Sequence, residues 1–157
     1  MQAIDVARFE RALANAFDAA DGPRLSLETL ASVDATSWPT VSFAFHPSWE
    51  LLDLAAGAAA RYEAARDGEE LPPIEAGEDH VLFWRSADSQ SSYRMVAPEE
   101  RLALIEAAAG KSFAEICSLL QFFDPSENTS VVAGQFLAQW FADGLVARLS
   151  SEDGVSR

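Results

Sequence analysis

Two histidines, one cysteine and one acid-rich turn are the places where this sequence could do chemistry. His46 and His80 stand in unrelated contexts, HPS and EDH, with no second nitrogen or sulfur ligand at the close spacing that zinc sites use. No HExxH pair, nucleophile elbow or phosphate-binding glycine loop occurs anywhere in the chain. Glu78, Asp79 and His80 could together hold a cation. Without a further ladder of oxygen ligands, the same cluster reads more readily as a solvated turn. Cys117, between Ile116 and Ser118, has no neighbour that would lower its thiol pKa, so a small buried hydrophobe is the stronger reading than a nucleophile. These residues predict no catalytic group, no metal site, no cofactor and no enzyme.

The elements that would carry any other function are legible from apolar spacing. Ile4, Phe9, Leu13, Ala16 and Phe17 predict a helix over 4–20, ended by Asp21-Gly22-Pro23, and SLETL predicts a short second helix. Val41, Phe43 and Phe45 alternate with small or polar residues, which predicts a strand over 40–45. The alanine-rich run 49–68, closed by Gly68, reads as one long helix, and 69–80 as an acidic connector. VLFWRS (81–86) and SYRMVA (92–97) form a hairpin with a loop of about five residues. Three helices follow over 98–110, 111–123 and 129–143, the second opened by the capping box Ser112/Glu115, and a short strand follows Gly144.

Charge limits what this arrangement can bind. The chain carries 25 acidic and 11 basic residues, a formal charge of -14, and Lys111 is its one lysine. Nonspecific affinity for nucleic acid comes from pairing Lys and Arg with phosphates, so nucleic acid is an improbable partner for such a surface. The helix 129–143 has no lysine or arginine, which a helix built to lie on DNA would need. No apolar run reaches the roughly 20 residues that span a bilayer, and the single cysteine fits a reducing compartment, so no membrane association and a cytoplasmic location are expected.

The segments ALANAFDAADGPRLSLETLA, SWPTVSFAFHPSWELL, VLFWRS, GKSFAEICSLL and FLAQWFADGL, in this order between Phe9 and Leu149, resemble the C-terminal portion of the HvfC/BufC-like family, whose older description is DNA binding. The succession of a hairpin and three helices is similar to the PqqD-like RiPP recognition element, a peptide-binding winged helix, and to the MbnC and TglI partner subunits. The N-terminal helical domain usual in that family is missing from the sequence. The resemblance implies an α+β fold of winged helix-turn-helix type, with a three-stranded antiparallel sheet from 40–45, 81–86 and 92–97 and an N-terminal helical extension. On it, 1–79 is the extension with the first strand and connector, 80–150 the winged-helix domain and 151–157 a disordered tail.

The function so implied is that of a non-catalytic partner. It binds a ribosomally made precursor peptide and presents it to a multinuclear-iron oxidase that modifies cysteine residues, as part of a heterodimer. The alternative is a winged-helix transcriptional regulator, with Arg101, Lys111 and Arg148 on phosphates. For the peptide reading, an added strand beside 92–97 would use the backbone of Tyr93, Arg94, Met95 and Val96. Arg85 and Arg94, facing each other across the hairpin, would attract an acidic segment, although ordinary surface arginines are the simpler reading. Val132, Gln135, Phe136 and Gln139 would line the helical wall, and Gly134 would allow close approach. Trp84, Trp140 and Phe136 could be binding aromatics, but at strand or helix period core is the stronger reading, with one of them able to line the groove.

Overall fold

Alternation and pairing override helix propensity at one decisive place in this chain. The computed structural model describes residues 2–126 and 128–151; beyond Ser151 the expected tail lies outside them. Its elements run α1 (Gln2–Asp18), α2 (Leu27–Ala31), a 3-10 turn (Trp38–Thr40), β1 (Ser42–Phe45), β2 (Glu50–Ala55), α3 (Ala58–Asp67), β3 (Glu78–Arg85), β4 (Ser91–Val96), α4 (Pro98–Ala108), α5 (Phe113–Phe123), α6 (Thr129–Ala142) and β5 (Val146–Ser150). The fold is mixed α+β; the described residues form six α-helices, a three-stranded antiparallel sheet and a two-stranded one. No helix among the described residues is long and apolar enough to cross a membrane.

The expected long helix 49–68 is corrected to strand β2 followed by helix α3. Leucine and alanine favour helix locally, but Leu52 and Leu54 sit two apart and fall on one face of a strand. That strand pairs with β3 over its whole length, Glu50 opposite Phe83 through Ala55 opposite Glu78. Gly57, at φ +81°, supplies the left-handed residue that lets the chain turn from strand into α3. The expected sheet is corrected with it. Strand β1 does not join the hairpin; β2 takes that place, and the sheet order is β2-β3-β4.

The chain divides into two compact units, one from Met1–Ala20 and Ser48–Ala97, the other from Asp21–Pro47 and Pro98–Arg157. Each is therefore discontinuous in sequence, where the sequence pattern suggests a single boundary at 79/80. In the first unit, α1 and α3 pack on the sheet face formed by Leu52 and Leu54 of β2, Val81 and Phe83 of β3 and Tyr93 of β4. Phe9 is the centre of this core: its ring lies 4.6 Å from Tyr62, 4.8 Å from Phe83 and 4.7 Å from Tyr93. Of the five apolar residues that predict α1, Phe9 and Ala16 are fully buried and Leu13 packs against the core, whereas Ile4 and Phe17 are more than half exposed.

In the second unit β1 pairs antiparallel with β5, Phe43 opposite Leu149, with a bulge that brings Phe45 opposite Val146. Both phenylalanines stand edge-on to Trp140 of α6, at 6.3 and 5.4 Å. Trp140 is 1% exposed, and its indole N–H donates to the buried carboxylate of Glu100 at 2.9 Å. This bond gives a buried donor the partner that burial requires. The capping box at the start of α5 forms as its spacing predicts: the Glu115 N–H donates to Ser112 Oγ and the Ser112 N–H donates to the Glu115 carboxylate. Gly144, at φ +74°, ends α6 and directs the chain into β5.

Candidate peptide-binding edge

The three-stranded sheet has two edges, and the register shows which backbone groups each presents. The Ser86 N–H donates to the Gln90 carbonyl at 2.8 Å, so the pair at the hairpin end is hydrogen-bonded. Pairs in an antiparallel ladder alternate between bonded and non-bonded. Along β3 and β4 the bonded pairs are then Trp84/Ser92, Leu82/Arg94 and His80/Val96. Ser91, Tyr93 and Met95 consequently point their N–H and C=O groups away from β3, to the outer edge. The same parity on β2 turns Glu50, Leu52 and Leu54 toward β3 and leaves Leu51, Asp53 and Ala55 outward.

Edge β2 is covered by side chains at its Asp53–Ala55 end, while the outward groups of Leu51 make no bond among the described residues. Arg8 donates to the outward carbonyl of Asp53 at 3.1 Å, the Ala55 N–H donates to Asp5 Oδ2 at 3.4 Å, and Arg8 and Asp5 bond each other at 3.1 Å. Charged side chains laid on an edge are a recognised protection against unwanted strand pairing. Edge β4 has no such cover. Among the described residues, the outward N–H and C=O groups of Tyr93 and Met95 make no hydrogen bond, and Met95 is 45% exposed. These orphan groups are the features of this unit best suited to hold an extended chain.

Side chains on β4 divide by face. Tyr93 belongs to the core face, against Phe9, and its hydroxyl donates to a carboxylate oxygen of Glu63 on α3. Burial, then the bond to Glu63 and its charge, push the Tyr93 phenol up to about 12. Val96 is buried and Arg94 half-buried on the opposite face, and Arg94 already interacts with other residues. Tyr93, Arg94, Met95 and Val96 lie on β4, an edge strand of the sheet.

Arg85 requires a correction. It pairs with Ser91 and Arg94 pairs with Leu82, so the two arginines project from opposite faces of the hairpin and do not face each other. Arg85 is 8% exposed, and its guanidinium donates to the carbonyls of Phe17 and Ala19 at 2.7 and 2.8 Å and of Ala20 at 3.3 Å. These are the unsatisfied carbonyls at and just beyond the end of α1, where a cation is favoured by the helix dipole. Arg85 therefore caps α1.

The remaining expected site residues, Val132, Gln135, Phe136 and Gln139, lie on α6 in the other unit. Phe136 faces that unit's own core, lining a small hollow with Ala103, Phe113, Ile116 and Trp140. Gln139 donates to Asp143 at 2.9 Å, Gln135 is exposed and Val132 half-buried. A Cβ added to Gly134 would meet nothing within 4 Å, so no other part of the described chain approaches closely there. Trp140 is core, and Trp84 is buried with an indole N–H that has no partner.

The chemistry-bearing residues sit elsewhere. His80 lies in β3, not in a turn, and its Nδ1 is 2.7 Å from Asp53 Oδ1 on β2, a cross-strand pair. His46 is buried, and its backbone N–H donates to the Leu145 carbonyl at 2.6 Å. Cys117 is half-buried, and loss of solvent pushes its thiol pKa up, away from a reactive thiolate. Among the described residues no group of three or more His, Cys, Asp or Glu side chains is placed to hold a metal ion. Asp5, Arg8 and Glu63, which define the two edges, are not predicted from sequence. The one local signal is the i,i+3 spacing of Asp5 and Arg8, which allows an ion pair but does not reveal that it lies on a strand edge.

No protein-family model matches the chain, and no curated protein is significantly similar to it.

Proposed function

We propose that the protein is a non-catalytic recognition subunit that receives an extended precursor peptide as a fourth strand on β4 and delivers it to an iron-dependent oxidase. The observation that carries the reading is the asymmetry of the sheet: Asp5 and Arg8 cover the Asp53–Ala55 end of the β2 edge, while among the described residues the outward groups of Tyr93 and Met95 on β4 have no side-chain cover. An added strand gains affinity from such main-chain groups and selectivity from its side chains. The succession α4, α5, α6 and β5, with β1 as partner of β5, supports a winged helix-turn-helix reading of the second unit. The acidic surface and the wholly uncharged α6 argue against DNA as the ligand of that helix.

The test titrates the products of any short, cysteine-bearing reading frames neighbouring the gene calorimetrically into the full chain, with amide hydrogen exchange measured on the complex. Binding with new protection at Tyr93 and Met95 is the expected result. Protection confined to other elements, or no binding by any neighbouring short product, would overturn the proposal. Submicromolar, steeply salt-dependent binding to duplex DNA would replace it with the regulator.

A further inference from the structure

We infer that the strand received by β4 carries an arginine or lysine opposite Tyr93. The inference rests on strand addition at β4 and reverses the charge expected of the peptide. Residues directly opposite on neighbouring strands have Cβ atoms about 4.5 to 5.5 Å apart and stand side by side on one face. The residue opposite Tyr93 would therefore rise along the Tyr93 ring toward its hydroxyl, which is bonded to the exposed Glu63 carboxylate. A long cationic side chain there meets an aromatic face along its stem and a carboxylate at its tip. An acidic residue in the same place would meet a like charge.

Among the described residues no basic group is within ion-pair distance of Glu63. On α3, Arg66 acts on Glu63 and Tyr93 through its charge, but its guanidinium is hydrogen-bonded to Asp67 at 2.8 Å, and Arg61 donates to the Pro72 carbonyl. Arg85 is spent on the end of α1, and Arg94 projects from the other face. The chain's charge of -14 favours a basic segment at long range and disfavours a second copy as the occupant of β4.

The experiment pans the full chain against a displayed library of random ten-residue peptides and maps individual binders by amide chemical shifts of the labelled protein. Binders that shift Tyr93 and Met95 should be enriched in arginine or lysine at one fixed position. Replacing that residue by glutamine, or Glu63→Gln in the protein, should each weaken binding about 3- to 20-fold, and the two losses together should not add. Glu63→Gln keeps an acceptor for the Tyr93 hydroxyl, so the fold is preserved. Binders on β4 without a basic preference, or indifferent to Glu63→Gln, would overturn the inference and leave strand addition standing. Failure of every binder to shift Tyr93 and Met95 would overturn both. Self-association abolished by Met95→Pro would show a second copy on β4 and also overturn the inference.

Discussion

A proline placed at successive positions of β4 should reveal which way each backbone group points. Arg94 lies in a bonded pair with Leu82, a residue with no exposed surface. Arg94→Pro removes the inward N–H, leaves a buried carbonyl without its donor and forces the pyrrolidine ring against β3. The expected cost is about 3 kcal/mol or more. Met95→Pro removes an N–H that faces outward, so the cost is limited to the narrowed φ range, about 1 kcal/mol. The difference of about 2 kcal/mol corresponds to roughly 4 to 8 °C in melting temperature for a chain of this size. Thermal unfolding by circular dichroism measures it, with Arg94→Ala separating loss of the side chain from loss of the N–H. In a peptide titration the order should invert: Met95→Pro, well folded, should bind at least about tenfold more weakly, because one ladder bond and the approach to the edge are lost. If Met95→Pro unfolds at or below the temperature of Arg94→Pro, the parity assigned to β4 is wrong and the edge groups of Tyr93 and Met95 are not available.

Other perturbations test the parts that hold this edge in place. Arg85→Met should lower stability by about 2 to 3 kcal/mol in urea unfolding, since carbonyls at the end of α1 lose charge-assisted donors, while peptide affinity of the folded fraction stays unchanged. Trp140→Phe should cost about 1 to 3 kcal/mol by the same assay, because the Glu100 carboxylate, 6% exposed, loses the indole donor. The Tyr93 phenol is raised to about 12 in the folded chain from the ordinary value near 10, so the folded state holds its proton longer. That contribution to stability is intact below pH about 10 and is lost as pH rises toward 12. Tyr93→Phe should flatten this part of the urea midpoint against pH. Removing this cover with Asp5→Ala and Arg8→Ala together should expose the Asp53 carbonyl and the Ala55 N–H and give concentration-dependent oligomers in sedimentation velocity.

Much of the local structure can be read from the residues because its causes are local. The hairpin β3-β4 follows from alternating apolar residues on both sides of a short polar loop, and the capping box of α5 needs two side chains three apart. The helices α1, α4, α5 and α6 follow from apolar spacing and end signals, with Gly110 and Gly144 just past the ends of α4 and α6. The segment 50–55 misleads for an identifiable reason: leucine and alanine favour helix in isolation, and only the ladder to β3 makes strand the better state. Likewise, nothing within 40–45 says whether its partner is β3 or, a hundred residues on, β5.

At the candidate site, sequence by itself determines that β4 is an alternating strand of a hairpin, that the surface is acidic, and that Tyr93 and Met95 share a face. Those properties depend on residue type and a period of two. Tertiary structure alone decides how each edge is covered, because that depends on Asp5 and Arg8 of α1 reaching the backbone of Asp53 and Ala55 some fifty residues away. It also decides that Arg85 caps a helix and that Glu63 stands at the tip of Tyr93. A side chain's charge is written in the sequence, but the group that meets it is set by packing between segments distant along the chain.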